Sequence, residues 1–322
     1  MTSTAETSPQ STDRSSFFRA RRLGHVNLFQ TNAGAVSAFY REVAGVGLHY
    51  HKGDRGYFHT NGNTYHDIGL MEAGGEGQSR LNHLAFELAT ESDLVYGYDE
   101  AVSNGVKFTK TASHDVAHAI YLKDPDGNGV EVYADIESNW RELRSGNVDE
   151  KPHKVDWKPG DNVPLKEARF PVNPDLLPVD GAIFPTKRIS AATLVARDFS
   201  AMLDFYTTVV GLVPIHGTVE SPYVVLAGAT GEAALTLVHE ATGRSAGLHH
   251  FSWEVESVAD LDTALPQLAA AGHDVVADVE WRGRRSVFVN DPNGFLMQFY
   301  ADQRPIADEL VALHDDLALF VL

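Results

Sequence analysis

The sequence predicts an α+β fold of two tandem domains, each assembled from two β-α-β-β-β units. Three observations carry that expectation. The 322 residues, 43% of them hydrophobic, exceed what one core usually holds. A hairpin over residues 120–135, IYLKDPDGNGVEVYAD, returns over residues 287–302 as VFVNDPNGFLMQFYAD. Ala191, His250 and Gln298 stand 166, 167 and 167 residues after His25, His83 and Glu131, the near-constant offset of a long internal duplication.

Residues 1–18 are largely Ser/Thr-rich, lack the apolar run of a signal peptide, and read as a disordered tail. Residues 23–29, LGHVNLF, alternate as a half-buried strand does. Over 31–44, Val36, Phe39, Tyr40 and Val43 fall at helical spacing after Asn32, a candidate cap. The glycines of GVGL at 45–48 close that helix, because glycine accepts the left-handed closing conformation. Strand candidates follow near 55–60 and 65–71. After a Gly-rich loop at 73–77 the cycle repeats, with a strand at 81–88 (LNHLAFEL), a helix at 91–105 and the first hairpin. In each hairpin, proline pre-sets one turn dihedral and glycine accepts the positive φ of another.

Prolines at 152, 159, 164, 171, 174, 178 and 185 exclude regular helix interiors and central strands from the next stretch. Its tryptophans, Trp140 and Trp157, point to a connector docked on the domains. The units restart with a strand at 189–195 and a helix at 200–213, followed by a strand at 248–255, a helix at 260–272 and the second hairpin. The expected organisation is a tail (1–18), a first domain (19–140), a connector (141–187), a second domain (188–304) and a closing helix (305–322).

Composition removes several function classes. Lys+Arg number 26 against 44 Asp+Glu, and the formal charge of -18 repels phosphate backbones and anionic membranes. Neither nucleic acid nor a membrane is expected as a partner. No apolar run approaches the ~20 residues that cross a bilayer, so a cytoplasmic location is expected. The absence of cysteine rules out disulfides, thiol nucleophiles and iron–sulfur clusters. Any metal must be held by His, Asp or Glu.

The duplicated halves differ where such chemistry would lie. His25 is matched by Ala191, His83 by His250 and Glu131 by Gln298. A lone histidine in an amphipathic strand is commonly structural. A glutamate inside the strand GVEVY is harder to dismiss, because an unpaired buried carboxylate costs several kcal/mol and calls for a cation. Two imidazoles and one carboxylate form the facial ligand set of a mononuclear non-haem iron(II) site with positions open to substrate and dioxygen. The first domain is therefore expected to bear the metal through His25, His83 and Glu131. The second is expected to be a metal-free repeat in which His250 is a relic or a core residue.

The paired units, the His…His…Glu spacing and the DPDGNGVEVY hairpin resemble the vicinal oxygen chelate superfamily over residues 23–135 and 189–302. Within it they resemble type I extradiol ring-cleaving dioxygenases of the catechol 2,3-dioxygenase kind. Many members of that family carry the metal in the C-terminal domain, whereas the arrangement here is similar to a bacillus-type subgroup with an N-terminal site. The resemblance implies that the paired units form an open, incomplete barrel. It implies Fe(II), or else Mn(II), as cofactor, with an aromatic diol and O2 as substrates. The implied reaction is extradiol cleavage to a muconic semialdehyde through a lactone.

Further residue roles come only from that resemblance. His66, in YHDI, matches the histidine of the family's His-Asp-Ile-Ala-Leu stretch, which helps activate dioxygen and shuttles a proton. Tyr121 matches the tyrosine that hydrogen-bonds a deprotonated diol oxygen. His114, with His118 nearby, matches a substrate-binding histidine. Relatives assemble as dimers or tetramers, so a homo-oligomer is expected. Two other readings remain open. A glyoxalase or isomerase adds a fourth ligand, a glutamate, on the strand closing the first unit, where this chain offers His66 and Asp67 and where Glu72 lies past the expected end. A metal-free drug-binding protein of the bleomycin-resistance type would have no use for the intact triad.

Overall fold

The computed structural model describes residues 16–74, 77–151, 156–240, 244–281 and 283–303. The first unit comprises β1 (Arg22–Gln30), α1 (Ala33–Glu42), β2 (Gly47–His51), β3 (Gly56–Thr60) and β4 (Ile68–Glu72). The second comprises β5 (Arg80–Glu87), α2 (Glu91–Ser103), β6 (Phe108–Ser113), β7 (Ala117–Lys123) and β8 (Gly129–Asp135). A short helix α3 (Trp140–Leu143) and a two-residue strand β9 (Gly146–Asn147) follow. The other domain holds β10 (Thr186–Ala196), α4 (Phe199–Asp204) continued by a π-helical turn (Phe205–Val209), β11 (Val213–His216), β12 (Tyr223–Ala227) and β13 (Ala233–His239). It ends with β14 (Gly247–Val255), α5 (Val258–Ala271), β15 (Val275–Trp281), β16 (Arg284–Asn290) and β17 (Leu296–Asp302).

The strands form two open sheets, ordered β6-β7-β8-β5-β1-β4-β3-β2-β9 and β11-β12-β13-β10-β14-β17-β16-β15. Each unit pairs its first and last strands in parallel, and the two units of a domain meet through antiparallel first strands, β1 with β5 and β10 with β14. This is the α+β fold of paired β-α-β-β-β units expected from the sequence, without barrel closure.

Alternation along the strands separates two environments. Val26, Leu28, Leu84, Phe86, Val130 and Val132 enter the main apolar core, while His25, His83, Ala85 and Glu131 occupy the alternate positions on the opposite face. A one-residue slip would expose those six apolar side chains, at about 1.5 to 3 kcal/mol each, so the core fixes the register that gathers the polar ones.

Several expectations change. Strands β2 and β6 were not among the sequence candidates, and β2 begins within the GVGL segment read as a helix stop. Gly45 alone supplies the closing conformation, with φ 66°. Asn32 is left-handed with φ 57° and makes no side-chain cap. Glu72 replaces it, accepting from Asn32 N at 3.2 Å and Ala33 N at 2.8 Å. Strand β9 pairs with β2, so the first sheet extends into residues read as connector. Trp140 and Trp157 are both buried, as docking requires.

The proposed tail also needs correction at its end. Residues 1–15 and the whole of the expected closing helix, 305–322, lie outside the described residues. Phe17 N and Phe18 N bond to Thr208 O and Val209 O of the second domain at 2.9 and 3.0 Å, and Phe18 is fully buried. The duplicate does the reverse: Ile183 N and Phe184 N bond to Glu42 O and Val43 O of the first domain at 2.9 and 3.0 Å. The domains thus exchange lead-in segments, each anchored by a buried phenylalanine, the first of which a Ser/Thr-rich composition concealed.

Candidate metal centre

Four adjacent strands build the site. Across the ladder His25 of β1 pairs with Ala85 of β5, Ala85 with Glu131 of β8, and Glu131 with Tyr121 of β7. Laterally paired residues share a face, and His83 joins them two positions along β5. The small Ala85 leaves the long side chains on either side room to converge. Gly129 permits the local approach of β8 to β5, since a Cβ there would lie 2.0 Å from Asn82 O and 3.0 Å from His83 Cβ.

His83 Nε2 lies 2.9 Å and His25 Nε2 3.3 Å from Glu131 Oε2, and the two nitrogens are 3.4 Å apart. All three side chains are buried. Burial works against the Glu131 charge, yet the charges and hydrogen bonds of His25 and His83 hold its carboxyl well below the ordinary range. Burial pulls His25 below its ordinary value, against the pull of Glu131. Two facing imidazole nitrogens gain little from one another, and a cation between them and the carboxylate would satisfy all three. Nitrogen and oxygen donors without thiolate suit Fe(II) or Mn(II). The residues therefore fit a divalent ion.

These ligand atoms open into a cavity of about 240 Å³. His66 and Tyr121 line it, as does His114. His66 is not on a strand, as the sequence reading had it. It lies in the loop before β4, where Asp67 turns the chain by accepting from Thr60 Oγ1 at 2.9 Å and Asn61 N at 3.1 Å. The His66 ring stands 4.0 Å from that of His25, its Nδ1 is 3.0 Å from Tyr50 Oη, and its buried Nε2 has no hydrogen-bond partner. Burial drives its pKa well below the ordinary value.

Tyr121 Oη and His114 Nε2 are 2.7 Å apart. Burial lowers His114 to about 3, while burial and then Glu131 raise Tyr121 well above the ordinary phenol value. Arg144 steadies this corner through His114 O and Asp115 Oδ2, the latter at 3.2 Å. His118 is engaged elsewhere, 2.7 Å from Glu91 and stacked on Trp157 at 4.2 Å. Of the two neighbouring histidines, His114 is the one on the cavity.

The strand that would supply a fourth ligand, a carboxylate, presents Gly69 and Met71 on the cavity side, and Glu72 is occupied at the N-terminus of α1. In the second domain the corresponding row reads Ala191, Ser252, Gln298 and Phe288. There Ser252 donates to Gln298 Oε1 at 2.6 Å and Gln298 Nε2 donates to Ser286 at 2.9 Å, so neutral hydrogen bonds close the row on itself. His250 is buried beside Thr193 and His249 at 3.3 and 2.7 Å.

Sequence reasoning missed Tyr50, Lys52, Lys110 and Arg144, which also line the cavity. The alternation in GLHYH would have revealed β2 and with it Tyr50. Arg144 lay in a stretch read only as connector.

Comparison with known proteins adds an independent line. The model of the Glyoxalase/Bleomycin resistance protein/Dioxygenase superfamily matches residues 22–132 and again 188–299. A catechol-2,3-dioxygenase of Bacillus subtilis (strain 168) is 38% identical over 68 residues, 21% of this chain and 24% of that protein. Biphenyl-2,3-diol 1,2-dioxygenase 3 of Rhodococcus globerulus is 29% identical over 121 residues, 35% of this chain and 63% of that protein. The matched stretches thus span less than two thirds of either relative. Among solved structures, the 2,3-dioxygenase LapB from Pseudomonas sp. KL28 superposes with TM-score 0.66 at 15% identity, covering 91% of this chain and 96% of that one. The Mn(II)-bound glyoxalase from Novosphingobium aromaticivorans superposes with TM-score 0.66 at 16% identity, covering 89% and 83%. These two likenesses concern the fold.

Proposed function

Because this chain belongs to the Glyoxalase/Bleomycin resistance protein/Dioxygenase superfamily, we propose that it opens the ring of an aromatic vicinal diol with dioxygen, using a divalent metal held by His25, His83 and Glu131. One observation carries the reading: a buried cluster of three donors, with no fourth ligating side chain beside it among the described residues, faces a cavity that His66 and Tyr121 also line. A four-ligand isomerase has no acid at Gly69 or Met71 to call on, and a metal-free binding protein has no need of the cluster. Iron(II) is the metal we favour, with Mn(II) the alternative.

When bound, the ion would supply Lewis acidity and redox chemistry toward the two diol oxygens and dioxygen. The chain's own residues have three tasks. Tyr121, kept protonated by burial and by Glu131, donates to a diol oxygen and favours the monoanion; His114 orients its hydroxyl. His66, neutral at pH 7, receives a proton at Nε2 or returns one, with Tyr50 setting its tautomer through Nδ1. The apolar rim, Phe58 and Met71 among it, limits water around the ring.

Anaerobic metal loading followed by oxygen-uptake measurements with catechol, 4-methylcatechol, 3,4-dihydroxybenzoate and a biphenyl diol tests the proposal. A yellow ring-opened product with matching oxygen consumption is expected. Protein with stoichiometric iron or manganese that consumes no oxygen with any of them overturns it.

A further inference from the structure

The cavity gathers positive charge on residues to which ring opening, as described above, assigns no task. Lys52, Lys110, Lys123 and Arg144 line it together with a single acidic residue, Glu131. The chain as a whole carries -18, so this is a local reversal of its general charge.

Arg144 has a partner in Asp115 at 3.2 Å. Lys52 and Lys110 have no ion pair among the described residues; each is placed over an aromatic ring of the same cavity. Lys110 Nζ lies 4.2 Å from the Tyr121 centroid and Lys52 Nζ 5.6 Å from that of Phe58, while Arg144 Cζ is 4.7 Å from the Tyr50 centroid. A ring face stabilises a cation by only about 0.5 to 2 kcal/mol and does not neutralise it. Burial, then Arg144 and Lys110, pull the Lys52 ammonium down to about 8.

We infer that the diol carries an anionic substituent, a carboxylate, on the ring edge away from its two hydroxyls, received by Lys52 and Lys110 with Arg144 behind them. The hydroxyl end of this assignment rests on the ring-opening reading; the acidic end rests on the lysines. The cavity of about 240 Å³ is smaller than the ~300–1,000 Å³ pockets that take drug-sized ligands, which favours one ring with a short acidic arm over a biaryl. The exposed Lys110 and Lys123 at the rim add long-range attraction that salt screens.

The test compares 3,4-dihydroxybenzoate with its methyl ester on the full chain loaded with iron(II). Calorimetric binding is measured without oxygen, and oxygen uptake is measured afterwards. The acid should bind about tenfold or more tightly than the ester at low salt. That gap should narrow with added salt and in Lys52→Met and Lys110→Met, while Lys52→Arg should keep it. Equal binding of acid and ester, or lysine variants that weaken both alike, overturns the inference, and an ester that is still cleaved leaves the ring-opening reading standing. Preferential binding of the acid with no oxygen uptake from any diol supports the charge assignment and sinks the reaction instead. If neither compound binds, both fall.

Discussion

Tyr206 donates its hydroxyl to Asp124 Oδ2 at 3.0 Å, joining the second domain to the turn of the first-domain hairpin. The duplicate repeats the contact in the opposite sense, with Tyr40 of α1 donating to Asp291 Oδ2 at 3.1 Å. The two Asp-Pro turns therefore clamp the domains together as well as reverse the chain. Asp124 keeps Asn128 N and Nδ2 as donors at 2.8 Å each, so losing the tyrosine does not strand a bare carboxylate. Tyr206→Phe and Tyr40→Phe are each expected to cost about 1.5 to 3 kcal/mol, the range for hydrogen bonds to charged groups. Urea unfolding checks this: single cooperative transitions should shift to lower midpoint. An unshifted midpoint in both variants would remove the clamp from the account.

Glu131→Gln should remain folded, because the matched position in the second domain is already glutamine within an equivalent strand. Its metal content after desalting should fall at least about tenfold, since a neutral amide replaces the one anionic ligand. A native-state ligand at a hundredfold excess over its dissociation constant adds ~2.7 kcal/mol to stability. The parent's melting temperature should therefore rise with added iron(II) and return on chelation. A Glu131→Gln protein showing the same rise would refute the ligand assignment.

Much of this was legible in the sequence because the relevant signals are local or periodic. The alternation around His25 and His83, and Glu131 within GVEVY, fix a face before any tertiary contact is known, and the duplication aligns the three positions. Two kinds of information were not legible. Lateral register decides which side chains converge, and it made Ala85 the spacer between His25 and Glu131. Contacts across long separations brought Arg144 and Lys52 to the cavity and took Glu72 to the end of α1. The loop placement of His66 depends on hydrogen bonds by Asp67 that strand propensity does not report.

Ala85→Leu tests that spacer directly. The residue is fully buried, and its side would have to take a branched side chain between His25 and Glu131. Overpacking of this kind costs typically about 1 to 3 kcal/mol. Metal retention should fall more than ten-fold while circular dichroism stays native. Ala85→Ser, close in size, should retain metal; loss in both variants alike would mean that polarity or general destabilisation, and not width, governs the site.

The hold on the connector should depend on acid. Glu91 holds it at one place with both oxygens: Oε1 is 2.7 Å from His118 Nδ1 and Oε2 accepts from Leu165 N at 2.8 Å, with Ser92 N bonded to Leu165 O at 2.9 Å. Burial opposes its charge, yet the His118 and Leu165 hydrogen bonds bring its pKa below the ordinary carboxylate value. A depressed carboxylate contributes stability that is present above its unfolded pKa, ~4.3, and is lost as pH falls through the lower folded value. Protection factors for hydrogen exchange over residues 156–170, taken relative to the intrinsic rate at each pH, should therefore stay high at pH 6 to 7 and fall as pH drops below ~4.3, before those of β1 and β5. Glu91→Gln should exchange faster in that segment at pH 7 and lose the acid step. A variant with the parent's pH profile would show that Glu91 does not hold the connector.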